Sequence, residues 1–195
     1  MNKKLDLRKL TVTAVMSAVS LVLMMLEFAF PFVPSFLKFD FSDLPAFITA
    51  FSLGPVCGVT VELIKNLLHL IFTATGGVGE LANFIIGAAL VAPAGIIYKY
   101  NRTRKGALIG ALTGSLFAAL ISFPVNYFIT YPFYTNFMPL DAIIGAYHAI
   151  FPFIDSLPKA LVTVNIPFTL LKGLIDASLT FAVYKKLSPI LKKKV

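Results

Sequence analysis

The sequence predicts an all-α fold: an integral membrane bundle of six transmembrane helices, with outer loops covering a ligand pocket. Three observations predict it. First, 58% of the 195 residues are hydrophobic and only 13% charged, and mean hydropathy is +0.86. Soluble domains run to roughly 45–50% apolar and about 25% charged residues, and one of this composition would expose large apolar patches. Second, the apolar residues fall into runs close to the roughly 20 needed to cross about 30 Å of hydrocarbon. Third, the basic residues cluster at the ends of those runs. Length predicts one domain, so residues 1–195 are read as a single membrane domain.

Span 1 is expected over about Leu10 to Phe30, closed by Pro31 and Pro34. Its basic start is followed by an apolar run too long for a signal peptide and lacking a small-residue cleavage site. Ser35 to Asp43 reads as a polar loop. The apolar stretch Leu44 to Thr73 is broken at Gly54-Pro55, which divides it into a short span 2 (Leu44 to Leu53) and span 3 (Val56 to Thr73). Gly76, Gly77 and Gly79 form the next turn. Span 4 is expected over Leu81 to Tyr98 and span 5 over Ala107 to Phe128. The proline-bearing segment Ile129 to Pro158 reads as an outer loop with a short helix at Leu140 to Ile150, and span 6 as Leu161 to Leu187.

Charge tests that count. The net charge is +8, and thirteen of the seventeen Lys and Arg lie in three clusters: Lys3, Lys4, Arg8 and Lys9; Lys99, Arg102, Arg104 and Lys105; Lys185, Lys186, Lys192, Lys193 and Lys194. Clusters flanking apolar runs follow the positive-inside rule rather than marking a nucleic-acid surface. With all three inside, an even number of spans separates each pair, which favours six. Both termini are then expected in the cytoplasm, and Ser35–Asp43 and Ile129–Pro158 on the outer side.

Ionisable residues inside spans are costly and point to function. Glu62, Lys65, Asn66 and His69 share one face of span 3, at i, i+3, i+4 and i+7. They read as an internal Glu62–Lys65 pair with polar partners, as a proton relay, or as part of a pocket. Asn165, Thr169, Lys172 and Asp176 share one face of span 6. They read as a Lys172–Asp176 pair with packing residues, or as a stripe lining a pocket into which Asn126 and Asn83 also point. Amides in a bilayer need partners, which a hydroxyl- and amide-rich ligand would supply. Ala14, Ser17 and Ala18 make a smooth face on span 1, as do Gly106, Gly110 and Gly114 on span 5; both suit close helix contact, within the chain or with another subunit.

Catalytic signatures are lacking: His69 and His148 are the two histidines, Cys57 is the lone cysteine, and no P-loop or Gly-x-Ser-x-Gly motif occurs. An enzyme, a metal site and a resident cofactor are therefore not expected.

Several segments carry a family resemblance. Leu37-Lys-Phe-Asp-Phe-Ser-Asp-Leu-Pro-Ala46, then Gly58-Val-Thr-Val-Glu-Leu-Ile-Lys-Asn-Leu-Leu-His69, then Asn126-Tyr127 with Tyr131-Pro132-Phe133-Tyr134, and Asn165-Ile-Pro-Phe-Thr-Leu-Leu-Lys-Gly173 together resemble the riboflavin-specific substrate-binding (S) subunits of energy-coupling factor (ECF) transporters, the RibU family. The resemblance implies a six-helix subunit of a prokaryotic cell membrane that binds riboflavin from outside. It implies an Ala-x-x-x-Ala face, here Ala14 and Ala18, docking on a transmembrane coupling subunit powered by two cytoplasmic ABC ATPases. It implies vitamin contacts from the loop containing Leu37, Phe39, Asp40 and Phe41, and from Asn126 and Lys172. Riboflavin's flat ring suits stacking on Phe39, Phe41, Tyr127, Tyr131 or Phe133, and its polar edge and hydroxyls suit Asn83, Asn126, Asn165, Thr169, Lys172 and Asp40. A sister subunit for another vitamin, or a membrane enzyme or scaffold, is the alternative.

Overall fold

The computed structural model describes residues 7–192, with side chains up to position 183. Lys3, Lys4, Lys193 and Lys194 lie outside the described residues, as do the side chains of Lys185, Lys186 and Lys192.

Helix α1 (Leu7–Met25) turns Thr13, Ser17, Ser20 and Met24 inward, while Val15, Val19 and Val22 are exposed. Small polar residues inside and branched apolar residues outside is the pattern of a helix whose outer face meets lipid. The helix stops before Phe30, where the apolar run had suggested its end. The chain instead doubles back through a two-stranded antiparallel ribbon, β1 (Phe28–Ala29) and β2 (Lys38–Phe39), with Phe28 opposite Phe39.

Helix α2 (Asp43–Leu53) has eleven residues, about 16 Å of rise, roughly half the hydrocarbon thickness. It is almost wholly buried. Its first residue, Asp43, pairs with Lys65 near the middle of α3 (Pro55–His69). The ribbon before α2 thus enters at mid-bundle depth, where irregular backbone is tolerated because protein and a cavity surround it. Gly54, at φ 107°, makes the turn between α2 and α3, a conformation that glycine adopts freely, and Pro55 begins α3.

Helix α4 (Val78–Tyr100) lies along α5 (Arg104–Val125). The glycines of α5 explain the close approach: a Cβ on Gly110 would stand 2.8 Å from the Ala94 carbonyl oxygen, and one on Gly114 2.2 Å from that of Leu90. Gly106 instead packs against Asn101 in the connecting turn.

Two helices run on past the expected breaks. α5 continues through a π turn (Asn126–Thr130) into α6 (Tyr131–Tyr134). After α7 (Leu140–His148), helix α8 (Leu157–Ala160) continues through a second π turn (Leu161–Asn165) into α9 (Ile166–Lys192). Pro132 and Pro167 have a common effect. Each lacks an N–H and crowds the carbonyl four residues earlier, at Phe128 and Thr163, the middle of each π turn. The helix widens there rather than ending.

Five helical stretches among the described residues are long and apolar enough to cross a membrane; with α2 they form a six-membered bundle. One apolar cluster, around Phe47, Phe51, Val91 and Ala94, joins α2, α3, α4, α5 and α9. A second, around Tyr131, Ile143, Tyr147 and Leu161, packs α7 and the loop residues over the opposite end.

Candidate ligand-binding site

Between these two clusters lies a cavity of about 680 Å³, walled by the end of α1, the loop through Asp40, and α3, α4, α5 and α9. Eight of the residues singled out in the sequence line it: Leu37, Asp40, Asn83, Asn126, Tyr131, Asn165, Thr169 and Lys172. They come from four separate segments, and the fold brings them to one space.

Four expected ring contacts lie elsewhere. Phe39 is 2% exposed and sits behind Phe168, the ring that does face the cavity. Phe41 packs edge-on against Phe39. Tyr127 stacks on Phe123 and borders a separate groove with Pro132, Leu140 and Pro158. Phe133 lies against Gly76. The aromatic wall is instead Phe36, Phe72, Tyr131, Tyr134, Phe137 and Phe168.

The floor is an ionic network. Lys172 Nζ donates to Asp40 Oδ2 at 2.9 Å and stands 3.3 Å from Asp43 Oδ2. Lys65 Nζ donates to the other Asp43 oxygen at 2.5 Å and to Ser42 Oγ at 2.8 Å, and lies 2.7 Å from Glu62. The Ser42 N–H donates to Asp40 Oδ1 at 2.8 Å, and Ser20 of α1 donates to the Ser42 carbonyl. The Glu62–Lys65 pair is the one expected from their spacing. The Lys172–Asp176 pair is not formed. Lys172 turns to Asp40 and Asp43, and neither oxygen of the buried Asp176 has a hydrogen-bond partner among the described residues. Lys preceding Asp by one turn is the weaker helical order, and two carboxylates on the opposite side outweigh one.

The amides divide into two kinds. Asn165 is committed: it accepts from Tyr147 Oη at 2.6 Å and donates to Tyr131 Oη at 3.2 Å, and the two tyrosine hydroxyls bond each other. Asn83 accepts from Asn66 at 3.2 Å. Asn126 and Thr169 make no side-chain hydrogen bond among the described residues, so their polar groups are free to meet a ligand.

Asp43 and Glu80 also belong to the site, beyond the residues that the sequence singles out. Asp43 read as the end of a loop, although its helix-opening position beside Asp40 places both acids near α3. Glu80 stands one turn before Asn83 on the same face of α4. It accepts from Thr73 at 2.9 Å and Thr75 at 3.2 Å and contacts His69 Nδ1 at 2.9 Å.

A small α-helical membrane bundle with a polar-floored, aromatic-walled cavity among its helices is a membrane-embedded binding subunit. Residues 8–184 match the family described as "ECF transporter, substrate-specific component", and the chain belongs to that family. It is 32% identical over 186 residues to "Riboflavin transporter RibU" of Staphylococcus aureus (strain TCH60), covering 95% of this chain and 93% of the relative. It is 32% identical over 188 residues to "Riboflavin transporter FmnP" of Bacillus subtilis (strain 168), covering 95% and 94%. A solved structure described as "Structure and mechanism of the S component of a bacterial ECF transporter" superposes with TM-score 0.76 at 30% identity, over 97% of this chain and all of that one. Relatives are named as transporters, and the chain is a multi-pass membrane protein of a transport family rather than an enzyme.

The ionic floor generates a stability prediction. Lys65→Met leaves Asp43 and Glu62 without their shared ammonium in the bundle interior. Breaking a buried pair from one side costs about 3–5 kcal/mol. The variant should melt well below the parent in detergent, and the double variant Lys65→Met/Asp43→Asn should recover part of that loss. A single variant as stable as the parent would refute the role given to Lys65.

Proposed function

We propose that the chain is the riboflavin-binding S component of an ECF-type vitamin uptake transporter. It captures riboflavin on the outer side and delivers it inward with a transmembrane coupling subunit and two cytoplasmic ABC ATPases. The observation that carries the reading is the convergence of Asn126, Thr169 and Lys172 on one aromatic-walled cavity. Riboflavin is uncharged at neutral pH, and its flat ring suits rings such as Phe168 and Tyr131. Its imide edge and ribityl hydroxyls suit the amide, hydroxyl and ammonium groups. The names of the relatives support the same ligand. Of the proposed contacts, Leu37, Asp40, Asn83, Asn126, Tyr131, Asn165, Thr169 and Lys172 line the cavity.

Purified protein should carry flavin absorbance and quench the fluorescence of added riboflavin on titration. Lys172 has three donors and two carboxylate neighbours, which leaves one N–H for a ring carbonyl. A charged hydrogen bond contributes about 1.5–3 kcal/mol, so Lys172→Ala should weaken binding roughly 10- to 100-fold. A colourless protein that fails to quench riboflavin would overturn the assignment; unchanged affinity in the variant would return Lys172 to a structural role.

Docking falls on α1. Ala14 and Ala18 are exposed, on the face turned away from Ser17 and Ser20. Close helix contact through small residues cannot absorb an indole ring. Ala14→Trp and Ala18→Trp should block assembly with the coupling subunit and uptake while leaving riboflavin titration intact. Co-purification of the coupling subunit with both variants would refute the docking face.

The basic clusters support cytoplasmic termini. In a Cys57→Ala background, cysteines at Lys3 and Lys193 should resist an impermeant thiol reagent in intact cells, and one at the exposed Ser35 should react. Labelling of either terminus from outside would contradict this topology.

A further inference from the structure

The charges around the cavity are unequal. Its wall contains four carboxylates, Glu27, Asp40, Asp43 and Glu80, against two lysines, Lys38 and Lys172. Lys38 is bonded to Glu27, and Lys172, together with Lys65 behind the wall, balances Asp40 and Asp43. Among the described residues, Glu80 is the one wall carboxylate without a lysine or arginine partner. Its residue surface is 5% exposed, and that part faces the cavity. Its donors are fixed: His69 on one oxygen, and the Thr73 and Thr75 hydroxyls on the other. Backbone N–H groups of Gly77 and Gly79 donate in turn to Thr73 and Thr75, which holds the whole turn in place.

A carboxylate has about four lone-pair sites, and three donors occupy Glu80 here. The remaining site accepts a hydrogen bond and cannot give one. A hydroxyl group on a ligand has the matching O–H. A phosphate dianion offers acceptors only and adds like charge beside Glu80. Each unit of charge held within about 10 Å of a carboxylate, at an effective dielectric near 20, costs roughly tenfold in affinity.

We infer that Glu80 is the specificity-determining residue of this cavity, admitting an uncharged flavin with a hydroxylated side chain and rejecting flavins esterified with phosphate or another anionic group. The inference rests on the riboflavin reading above and names the charge class that the same site accepts. The selection is repulsive: it acts by what it does to the wrong ligand. No lysine stands free on the wall to offset an incoming anion.

The test compares three ligands on the purified full chain by fluorescence quenching, at about pH 8, where a phosphate monoester is a dianion. They are riboflavin, its side-chain sulfate ester with one negative charge, and its side-chain phosphate ester with two. The sulfate and phosphate esters are close in size, so charge and bulk are separated. Affinity should fall in two steps, roughly tenfold for each charge. In Glu80→Gln the ratio of riboflavin to phosphate-ester affinity should drop by about tenfold or more, while Glu80→Asp, which keeps the charge, should retain most of it. The readout is a ratio, so any effect common to both ligands cancels. Equal affinities for the three ligands in the parent protein, equal losses for the two esters, or an unchanged ratio in Glu80→Gln would overturn the inference. Where Glu80→Gln does not fold, Glu80→Asp carries the comparison, and the parent series alone can still overturn the inference. Failure of riboflavin itself to bind the parent protein would instead remove the riboflavin reading, and this inference with it.

Discussion

Asp43 is shared by two lysines, and much of the structure follows from that sharing. Its two oxygens face Lys65 on α3 and Lys172 on α9. An ammonium buried in the bundle is costly without a fixed counter-charge. α2 must therefore begin where Asp43 can reach both lysines. That position leaves α2 half a membrane long and brings the preceding loop, with Asp40 and Ser42, into the interior. The loop becomes the cavity floor because the charges hold it there.

The same network gives the cavity a chemical orientation. Its floor combines fixed carboxylates with an ammonium that has a donor to spare; its sides are aromatic; Asn126 and Thr169 add uncommitted polar groups. A flat, uncharged, mostly apolar molecule with a polar edge is complementary to such a space. The tyrosine pair around Asn165 contributes differently. It satisfies that amide inside the protein and fixes α6, α7 and the π turn before α9 to one another, so Asn165 shapes the wall while Asn126 remains available.

What could be read from the sequence depended on period and punctuation. Asn165, Thr169 and Lys172 are spaced for one helical face, and they line one cavity. Gly54-Pro55 splits an apolar run that length alone would have left as one helix, and the split is where α2 meets α3. The partners of Lys172 were not legible, because local spacing points to Asp176, whereas Asp40 lies 132 positions away. Glu80 carries no mark in the sequence, because a lone acid beside a glycine turn looks like a helix-opening residue; its place follows from the threonines and histidine that close around it. Tyr127 was misassigned to the cavity for a geometric reason. Neighbours on a helix point about 100° apart, so beside the cavity-lining Asn126 it turns to Phe123, and Tyr131, also among the expected rings, is the one that lines the cavity.

Both π turns touch the cavity through an asparagine, Asn126 at the start of one and Asn165 at the end of the other. A π turn amounts to one residue inserted into an α-helix. The widened turn absorbs that extra residue, so the helix beyond keeps its facing and Tyr131 stays in the wall. A change of one residue there would alter the side chains the turn itself offers, here Asn126 and Asn165, and leave the helices that follow in place.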